Sequence, residues 1–422
     1  MALGVLKIEG TFERAALIGG LFAMLAFSWF CVKWCFANGV STRAPDVDVA
    51  RIAVEMAPSD PQTHYADAVL LEKTFEPENV ELSLREYETT ASLAPFNYIC
   101  WLDLAKARER SGDRAGAERA YIRASELAPN YADVNWAYGN ELIRAGRADE
   151  GFSRIKLAAA GNPAYIAAAA VTSFAVFDGD LERIRAAFGN APEINAAIAA
   201  YLSGEKRFDE AAASWNSLSD DAKRLKFRDT GNILISQFIA AKRTRLAVGV
   251  AADLEGNGGD RPAIGRVFNG GFENGVKLRD AGIFDWQIAL GGEPQIGLSD
   301  TQKHGGSKSL YFIFNTMQSA DFRQVGQTVA VEPGSAYRLT SYHRAELKGS
   351  VAWEVVDLGD NRVLGRSTLL QQTPDWVQVS MDFTVPAGSD GIMIRLVRDG
   401  CSSAVCPITG KLWIDDVELT KR

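Results

Sequence analysis

The chain has 422 residues, of which 47% are hydrophobic and 23% are charged, and its formal net charge is −8. This length is enough for two or three domains with cores of their own, and the composition is that of a folded protein rather than a disordered one. Because the chain is acidic and contains no block of lysine and arginine, it lacks the basic surface that phosphate backbones require, and we expect no nucleic-acid partner.

Residues 1–41 predict a short tail and a membrane anchor. Residues 15–32 form a run of eighteen residues without a charge, and about 20 apolar residues in a helix span the hydrocarbon core of a bilayer. Trp29 and Trp34 lie near one end with Lys33, as is typical of side chains at the membrane interface. A cleaved signal peptide is the alternative, but its apolar region is usually only about 7–15 residues long and ends in a small-x-small site. We therefore expect one uncleaved transmembrane helix.

The cysteines indicate which side of the membrane carries the rest of the chain. Cys401 and Cys406 bracket the short polar segment GCSSAVCP, a spacing that predicts a disulfide and fits no common zinc pattern. Two unpaired loop thiols are the alternative. Since structural disulfides persist only in oxidising compartments, we expect a single-pass protein with most of the chain outside the cytoplasm.

A repeat of 34 residues dominates residues 44–255. Pro95, Pro129 and Pro163 recur at this interval, each at the end of an aligned string: YETTASLAP, YIRASELAP and IKLAAAGNP. Apolar residues before each proline have helical spacing, and the proline ends the helix because it cannot donate a backbone hydrogen bond. These patterns predict stacked pairs of helices, with an insertion near residues 75–77, a degenerate unit between Pro163 and Pro192, and closing helices at 229–254.

The repeat resembles the tetratricopeptide repeat. One unit has the family's pattern of residue types at Tyr138, Gly139, Leu142, Gly151, Ile155, Ala158 and Pro163. The resemblance implies an α-solenoid with a concave groove that binds a partner protein. The positions expected to face this groove are Lys106, Glu109, Trp136, Asn140 and Ile143. The alternative is that these side chains are solvated or packed against the next unit.

Residues 256–265 predict a linker, and residues 266–422 predict a β-sandwich. The segment EGNGGDRPA is rich in Gly, Asp and Pro, and beyond it short segments such as SLYFIF, AYRLTSYHR and KLWIDDVEL alternate in hydrophobicity. The strings NGGFENG, FDWQI, GSKSLYF, VEPGSAYRL and DWVQVSMDFTVP occur in an order that resembles a carbohydrate-binding module of the galactose-binding-like jelly-roll type. The expected fold is therefore multidomain: a transmembrane helix, an α-solenoid and an all-β jelly roll.

The resemblance to a carbohydrate-binding module makes polysaccharide a candidate ligand. Pyranose rings have apolar faces and hydroxyl rims, so sugar sites combine aromatic rings with amides and charged groups. The candidates are Trp286, Trp353, Tyr311, Tyr342, Gln287, Glu354 and Arg344. We expect Trp376 and Trp413 to pack inward instead.

A structural calcium is the one metal that the resemblance implies, and no other cofactor is expected. Some jelly rolls of this kind hold calcium by a Glu near the first strand and an Asp of the last, which correspond here to Glu273 and to Asp415 or Asp416. Calcium takes about six to eight oxygen ligands, and these residues supply only part of that number. A surface pair that caps a strand is the alternative.

No pattern in the sequence indicates an enzyme. A glycosidase needs two carboxylates that flank the scissile bond, and no such pair is recognisable. His64, His304 and His343 lack metal-ligand spacing, and there is no Gly-x-Ser-x-Gly nucleophile motif. The combination of an anchor, helical repeats and a sugar-type sandwich resembles architectures that occur beside bacterial machinery for exopolysaccharide synthesis or export. The resemblance implies an envelope-anchored accessory scaffold that docks a partner protein and contacts a polysaccharide. We therefore expect the chain in the bacterial inner membrane, with most of its residues facing the periplasm. A scaffold that binds protein only and a cryptic polysaccharide hydrolase are the alternatives.

Overall fold

The computed structural model describes residues 10–189, 191–255, 260–318, 322–398 and 405–422. Contacts divide the chain into two compact units, Met1–Asn190 and Ala191–Arg422. Within the described residues, the first unit is helical, and the second contains further helices followed by antiparallel sheets.

The first helix, α1 (Thr11–Ser41), is long and apolar enough to cross a membrane. Most of its apolar side chains are exposed, including Phe22 at 68% and Leu25 at 58%, as lipid-facing residues would be. A signal sequence near an N-terminus would pass the same test of length and composition.

The end of α1 packs into the helical repeats. Ala37 is buried, the Trp34 Nε1–H donates to Asp60 Oδ2 at 2.7 Å, and the Asn38 side-chain amide donates to the same oxygen at 2.9 Å. Asp60 also accepts from the backbone N–H of Gln62 at 2.9 Å and thereby caps the N-terminus of the next long helix. The predicted anchor is thus continuous with the folded array and is not a separate tether.

Nine shorter helices complete the described part of the first unit, residues 10–189. They are α2 (Val47–Met56), α3 (Pro61–Lys73), α4 (Pro77–Leu93), α5 (Tyr98–Arg110), α6 (Arg114–Leu127), α7 (Ala132–Arg144), α8 (Ala148–Gly161), α9 (Ala164–Val176) and α10 (Leu181–Phe188). Helix α7 begins 34 residues after α5, and α8 begins 34 residues after α6. Helices α4, α6 and α8 each end two residues before a repeated proline. The predicted helical pairs are confirmed.

Two glycines allow α7 and α8 to approach closely. A Cβ added to Gly139 would lie 2.8 Å from the Gly151 carbonyl oxygen and 2.9 Å from Ile155 Cγ1. Both distances are too short for van der Waals contact, so a side chain at this position would push the helices apart.

The predicted insertion near residues 75–77 lengthens a helix instead of a loop, since α4 has 17 residues where α6 and α8 have 14.

The second unit begins with five helices. They are α11 (Pro192–Gly204), α12 (Phe208–Asn216), α13 (Asp220–Leu225), α14 (Arg228–Ala240) and α15 (Thr244–Glu255). The Asp390 carboxylate, in a loop of the β-region, accepts from the backbone N–H groups of Thr244 at 2.9 Å and Arg245 at 3.2 Å and so caps α15. These helices and the sheets form one compact unit across the predicted linker, of which residues 256–259 lie outside the described part.

In the parts of residues 260–422 that the structure describes, ten strands form two five-stranded antiparallel sheets. The strands are β1 (Gln287–Ile288), β2 (Gln295–Ser299), β3 (Ser309–Gln318), β4 (Val325–Ala330), β5 (Ala336–Lys348), β6 (Val351–Asp357), β7 (Val363–Arg366), β8 (Thr373–Thr384), β9 (Gly391–Arg398) and β10 (Val405–Lys421). Sheet A has the order β1-β4-β9-β6-β7, and sheet B has the order β2-β3-β10-β5-β8. Large apolar side chains from both sheets form one core, which confirms the predicted all-β sandwich.

Candidate functional site

Buried and exposed side chains alternate along the strands of sheet B, and this alternation defines the outer face of the sheet. On β5, Leu339 and Ala345 point into the core, and burial alternates with exposure along the strand. Tyr342 and Arg344 therefore lie on the opposite, outer face. The same parity places Tyr311 of β3 between the core residues Leu310 and Phe312, on the outer face as well.

Strand register brings these outward residues into one row. Gly297 of β2 pairs with Tyr311, Tyr311 pairs with Trp413 of β10, and Trp413 pairs with Arg344. The Tyr311 and Trp413 rings stack with centroids 5.1 Å apart. There is open space where a Cβ of Gly297 would lie, so the edge strand places no side chain beside Tyr311 at that position.

A second group of rings lies beside this row. His304, in the loop before β3, stacks on Tyr342 with centroids 3.6 Å apart, and the Trp376 ring of β8 lies 5.8 Å from the His304 ring. We call Tyr311, Trp413, Tyr342, Trp376 and His304 together the aromatic strip. Except for Trp413, which is 7% exposed, its rings are half-buried or exposed.

The three predicted calcium ligands hold the loop that carries His304. Asp415 accepts from the backbone N–H groups of His304 at 2.8 Å and Gly305 at 3.1 Å. Asp416 Oδ2 lies 2.6 Å from His304 Nδ1. Glu273 accepts from the N–H groups of Ser307 at 2.7 Å and Lys308 at 3.1 Å. The carboxylates thus fix the position of the His304 ring against Tyr342.

This donor arrangement does not fit calcium. A hard cation needs several free oxygens, whereas the Glu273 and Asp415 oxygens are occupied by N–H donors and by the Ser307 hydroxyl. Among the described residues, there is no group of three or more carboxylate, histidine or cysteine side chains placed to share a metal ion. Hydrogen bonds from Ser307 and Lys308 hold the pKa of Glu273 below its usual range, whereas burial raises the pKa of Asp415.

The structure places the two tryptophans that we proposed as sugar platforms inside the core. Trp286 is 2% exposed and Trp353 is 1% exposed, and their rings lie 6.0 Å apart. Each indole N–H is satisfied internally, the first by the Asn269 carbonyl at 3.0 Å and the second by the Ser341 hydroxyl at 2.8 Å. Neither ring face is open to a ligand, so the proposed role does not fit these positions.

Two other candidates lie on sheet A, away from the aromatic strip. Glu354 of β6 forms an ion pair with Arg395 of the neighbouring strand. The Gln287 amide, on the edge strand β1, donates to the Gly282 carbonyl at 2.5 Å. The structure therefore brings together only Tyr311, Tyr342 and Arg344 of the seven sugar candidates.

Two residues of the aromatic strip were expected to point inward. Trp376 shares the outward parity of Gln378, because Val379, Met381 and Phe383 face the core. Trp413 lies between the core residues Leu412 and Ile414. The alternation of side chains along a β-strand, applied consistently to the sequences of β8 and β10, predicts both rings on the outer face. His304 had no such signal, because a loop brings it to the sheet.

The predicted groove positions of α5 are engaged within the helical repeats. Glu109 accepts from the Tyr121 hydroxyl at 2.9 Å and pairs with Arg144 of the next repeat at 2.6 Å. Burial raises the pKa of Tyr121 and keeps this hydroxyl a donor. Lys106 Nζ contacts Asp103 at 3.0 Å and lines a recess of about 250 Å³.

The groove candidates of α7 are half-buried. The Trp136 ring stacks on Tyr165 with centroids 4.7 Å apart, and the Asn140 amide donates to the Trp136 carbonyl at 2.8 Å. Ile143 lies next to Gly151 of α8. Of the five positions, Glu109 and Trp136 contact the next repeat, as the packed alternative supposed. The predicted Cys401–Cys406 disulfide lies outside the described residues, because they do not include Cys401.

No protein-family model and no curated protein matches the chain. Among solved structures, a family 4 carbohydrate-binding module covers 37% of this chain and 99% of its own length at 16% identity and a TM-score of 0.29. A family 61 module solved with β-1,4-galactotriose covers 36% and 96% at 19% identity and a TM-score of 0.27. MamA from Desulfovibrio magneticus covers 38% and 94% at 12% identity and a TM-score of 0.32. Similarities this low do not assign the chain to a family.

Proposed function

We propose that this chain is a non-enzymatic, membrane-anchored binding protein whose aromatic strip contacts a polysaccharide. The observation that carries the proposal is the row of rings on the outer face of sheet B, which Arg344 continues on the strand next to Trp413. Outward aromatic rings cost solvation free energy unless something covers them, and this row is ordered by stacking and by a loop fixed through three carboxylates.

The strip has the chemistry of a site for linked sugars. Aromatic faces present flat apolar area that matches the C–H face of a pyranose, while polar groups at their edges can bond hydroxyls. Tyr311 and Tyr342 supply rings, and Gln302 and Arg344 supply donors and acceptors between them. Because the row crosses several strands, an extended glycan suits it better than a single sugar.

The helical repeats supply the second half of the proposal, a docking surface for a protein partner. The recess beside Lys106 and the half-buried Trp136 support such a surface. With α1 inserted in a bacterial inner membrane and the rest of the chain in the periplasm, the protein would join a partner to a glycan near the membrane. The role that we propose for such a protein is accessory to exopolysaccharide synthesis or export.

Binding of immobilised polysaccharides to the full chain in lipid nanodiscs tests the sugar half. Tyr311→Ala and Tyr342→Ala are each expected to weaken binding about 2- to 12-fold, from roughly 0.5–1.5 kcal/mol per aromatic contact. Tyr131→Ala removes a ring that is 51% exposed in the helical repeats and should leave glycan binding unchanged.

Two outcomes favour the alternatives. If correctly folded protein binds no polysaccharide, the protein-only scaffold becomes the better account. If incubation releases new reducing ends from a bound polymer, the protein is a hydrolase.

Site-specific photo-crosslinking from Asn140 in intact cells tests the docking half of the proposal, with a single crosslinked protein as the expected product.

A further inference from the structure

We infer that the glycan bound by the aromatic strip is anionic and that Arg344 binds its carboxylate. This inference rests on the proposed polysaccharide function and narrows it to uronate-containing polymers. The evidence for the inference is the environment of the Arg344 guanidinium group.

Arg344 is a half-buried cation that has no charged partner in the described part of the sandwich. Its Nη1 donates to the neutral Gln302 Oε1 at 2.7 Å, and its guanidinium carbon lies 5.9 Å from the centre of the Trp413 ring. The Nε atom is buried and has no hydrogen-bond partner. Among the described residues, no carboxylate lies within ion-pair distance of Arg344.

Two other arginines of the sandwich, Arg338 and Arg395, are paired with carboxylates. Arg338 lies six residues earlier on the same strand and the same outer face, and it binds Asp382 through two hydrogen bonds of 2.7 and 2.6 Å. Arg395 of sheet A pairs with Glu354. Arg344 departs from this pattern at the position where the aromatic rings meet.

The nearby carboxylates do not serve as counter-ions for Arg344. Asp415 is fully buried, and both of its oxygens accept backbone N–H groups. Asp416 pairs with His304. Partial burial costs a cation hydration energy that a neutral amide only partly returns, so the unpaired charge of Arg344 favours an incoming anion.

A carboxylate fits this position better than a hydroxyl. The hydrogen bond from an arginine to a carboxylate is charge-assisted, and such bonds are about twice as strong as neutral ones. Strands are about 4.8 Å apart, so Tyr311 and Arg344 are separated by about 10 Å across the row. A glycan lying across the strands can therefore stack on Tyr311 and present a uronate to Arg344.

The test uses matched polymers and the full chain in nanodiscs. Polymannuronate, polygalacturonate and polyguluronate are each compared with the same polymer after chemical reduction of its carboxyl groups. We expect at least one uronate polymer to bind tenfold or more tightly than its reduced form. Arg344→Gln should abolish that preference, Arg344→Lys should keep part of it, and Arg338→Gln, the matched control, should keep all of it.

The outcomes separate this inference from the function on which it rests. Equal binding of native and reduced polymers, or a preference that survives Arg344→Gln in a protein with unchanged circular dichroism, overturns the inference and leaves polysaccharide binding intact. If the protein binds only reduced or neutral polymers, the inference is likewise overturned and polysaccharide binding remains. If no polymer of either kind binds the folded protein, the polysaccharide function fails as well.

Discussion

Replacing Asp60 by alanine should loosen the junction between the anchor helix and the first repeat. Asp60 is 4% exposed, and its carboxylate receives the Trp34 indole N–H, the Asn38 amide and the N–H of Gln62. The loss of a helix cap costs about 1 kcal/mol. Hydrogen bonds to a charged group contribute about 1.5–3 kcal/mol each when buried.

The size of the effect follows from the exposure of the donors. Trp34 is 39% exposed and regains a water partner when the carboxylate is removed, so we take about 1 kcal/mol for each of the two bonds. Asp60→Ala should then cost about 3 kcal/mol in total, from these bonds and the cap. Asp46 is the matched control, because it caps α2 through Val49 N at 3.0 Å and is exposed. Its replacement should cost only about 1 kcal/mol.

Hydrogen exchange of α2 and α3 amides in nanodiscs measures the difference. An excess of about 2 kcal/mol corresponds to amide exchange roughly 30-fold faster in Asp60→Ala than in Asp46→Ala. A double-mutant cycle with Trp34→Phe should show coupling of about 1 kcal/mol. Equal exchange in the two alanine variants, together with additive effects in the cycle, would refute the docking of the anchor helix on the array.

Further predictions concern pH, calcium and the cap of α15. A hydrogen bond to Glu86 raises the pKa of His64 above 6.5, and burial raises that of Asp67 from 3.8 to about 6. Both groups bind protons more tightly in the folded state, so their stabilising contributions decrease as pH rises, that of Asp67 up to about pH 6 and that of His64 above pH 6.5. The melting temperature of the unmodified protein minus that of His64→Gln should therefore fall between pH 5 and 8.5, because the opposite contribution of His343, whose pKa burial lowers, is the same in both proteins; a rise in this difference would contradict the assignment. Added calcium or a chelator should leave the melting temperature unchanged, and a rise with calcium would restore the predicted metal site. Asp390→Ala should speed amide exchange in α15 by about fivefold, for a cap of about 1 kcal/mol, and unchanged exchange would show that the loop contributes no cap.

The repeated features of the fold could be predicted because the same residue pattern recurs several times along the sequence, and each recurrence supports the same structural interpretation. The spacing of Pro95, Pro129 and Pro163 gave the helix ends. The alternation of core residues along β5 and β10 was visible in the sequence and identifies the outer face. The union of α1 with the array was not predictable, because the contact of Trp34 with Asp60 depends on how the helices pack and not on any local pattern.

The candidate site was predicted only in part for two physical reasons. Trp353 lies in a strand buried on nearly every position, and Trp286 lies before the first strand, so alternation assigns neither ring to a face. His304 reaches the sheet through a loop fixed by Glu273 and Asp415, which are distant from it in sequence. Residues joined by such long-range contacts have no periodic signature.

Hydrogen exchange of the full chain with and without a bound polysaccharide is the most direct test of the aromatic strip. The account predicts protection concentrated in residues 302–308 and in the outer-face segments of β5 and β8, with sheet A unchanged. Protection confined to sheet A or to the helical repeats, under conditions where the polysaccharide is demonstrably bound, would contradict it.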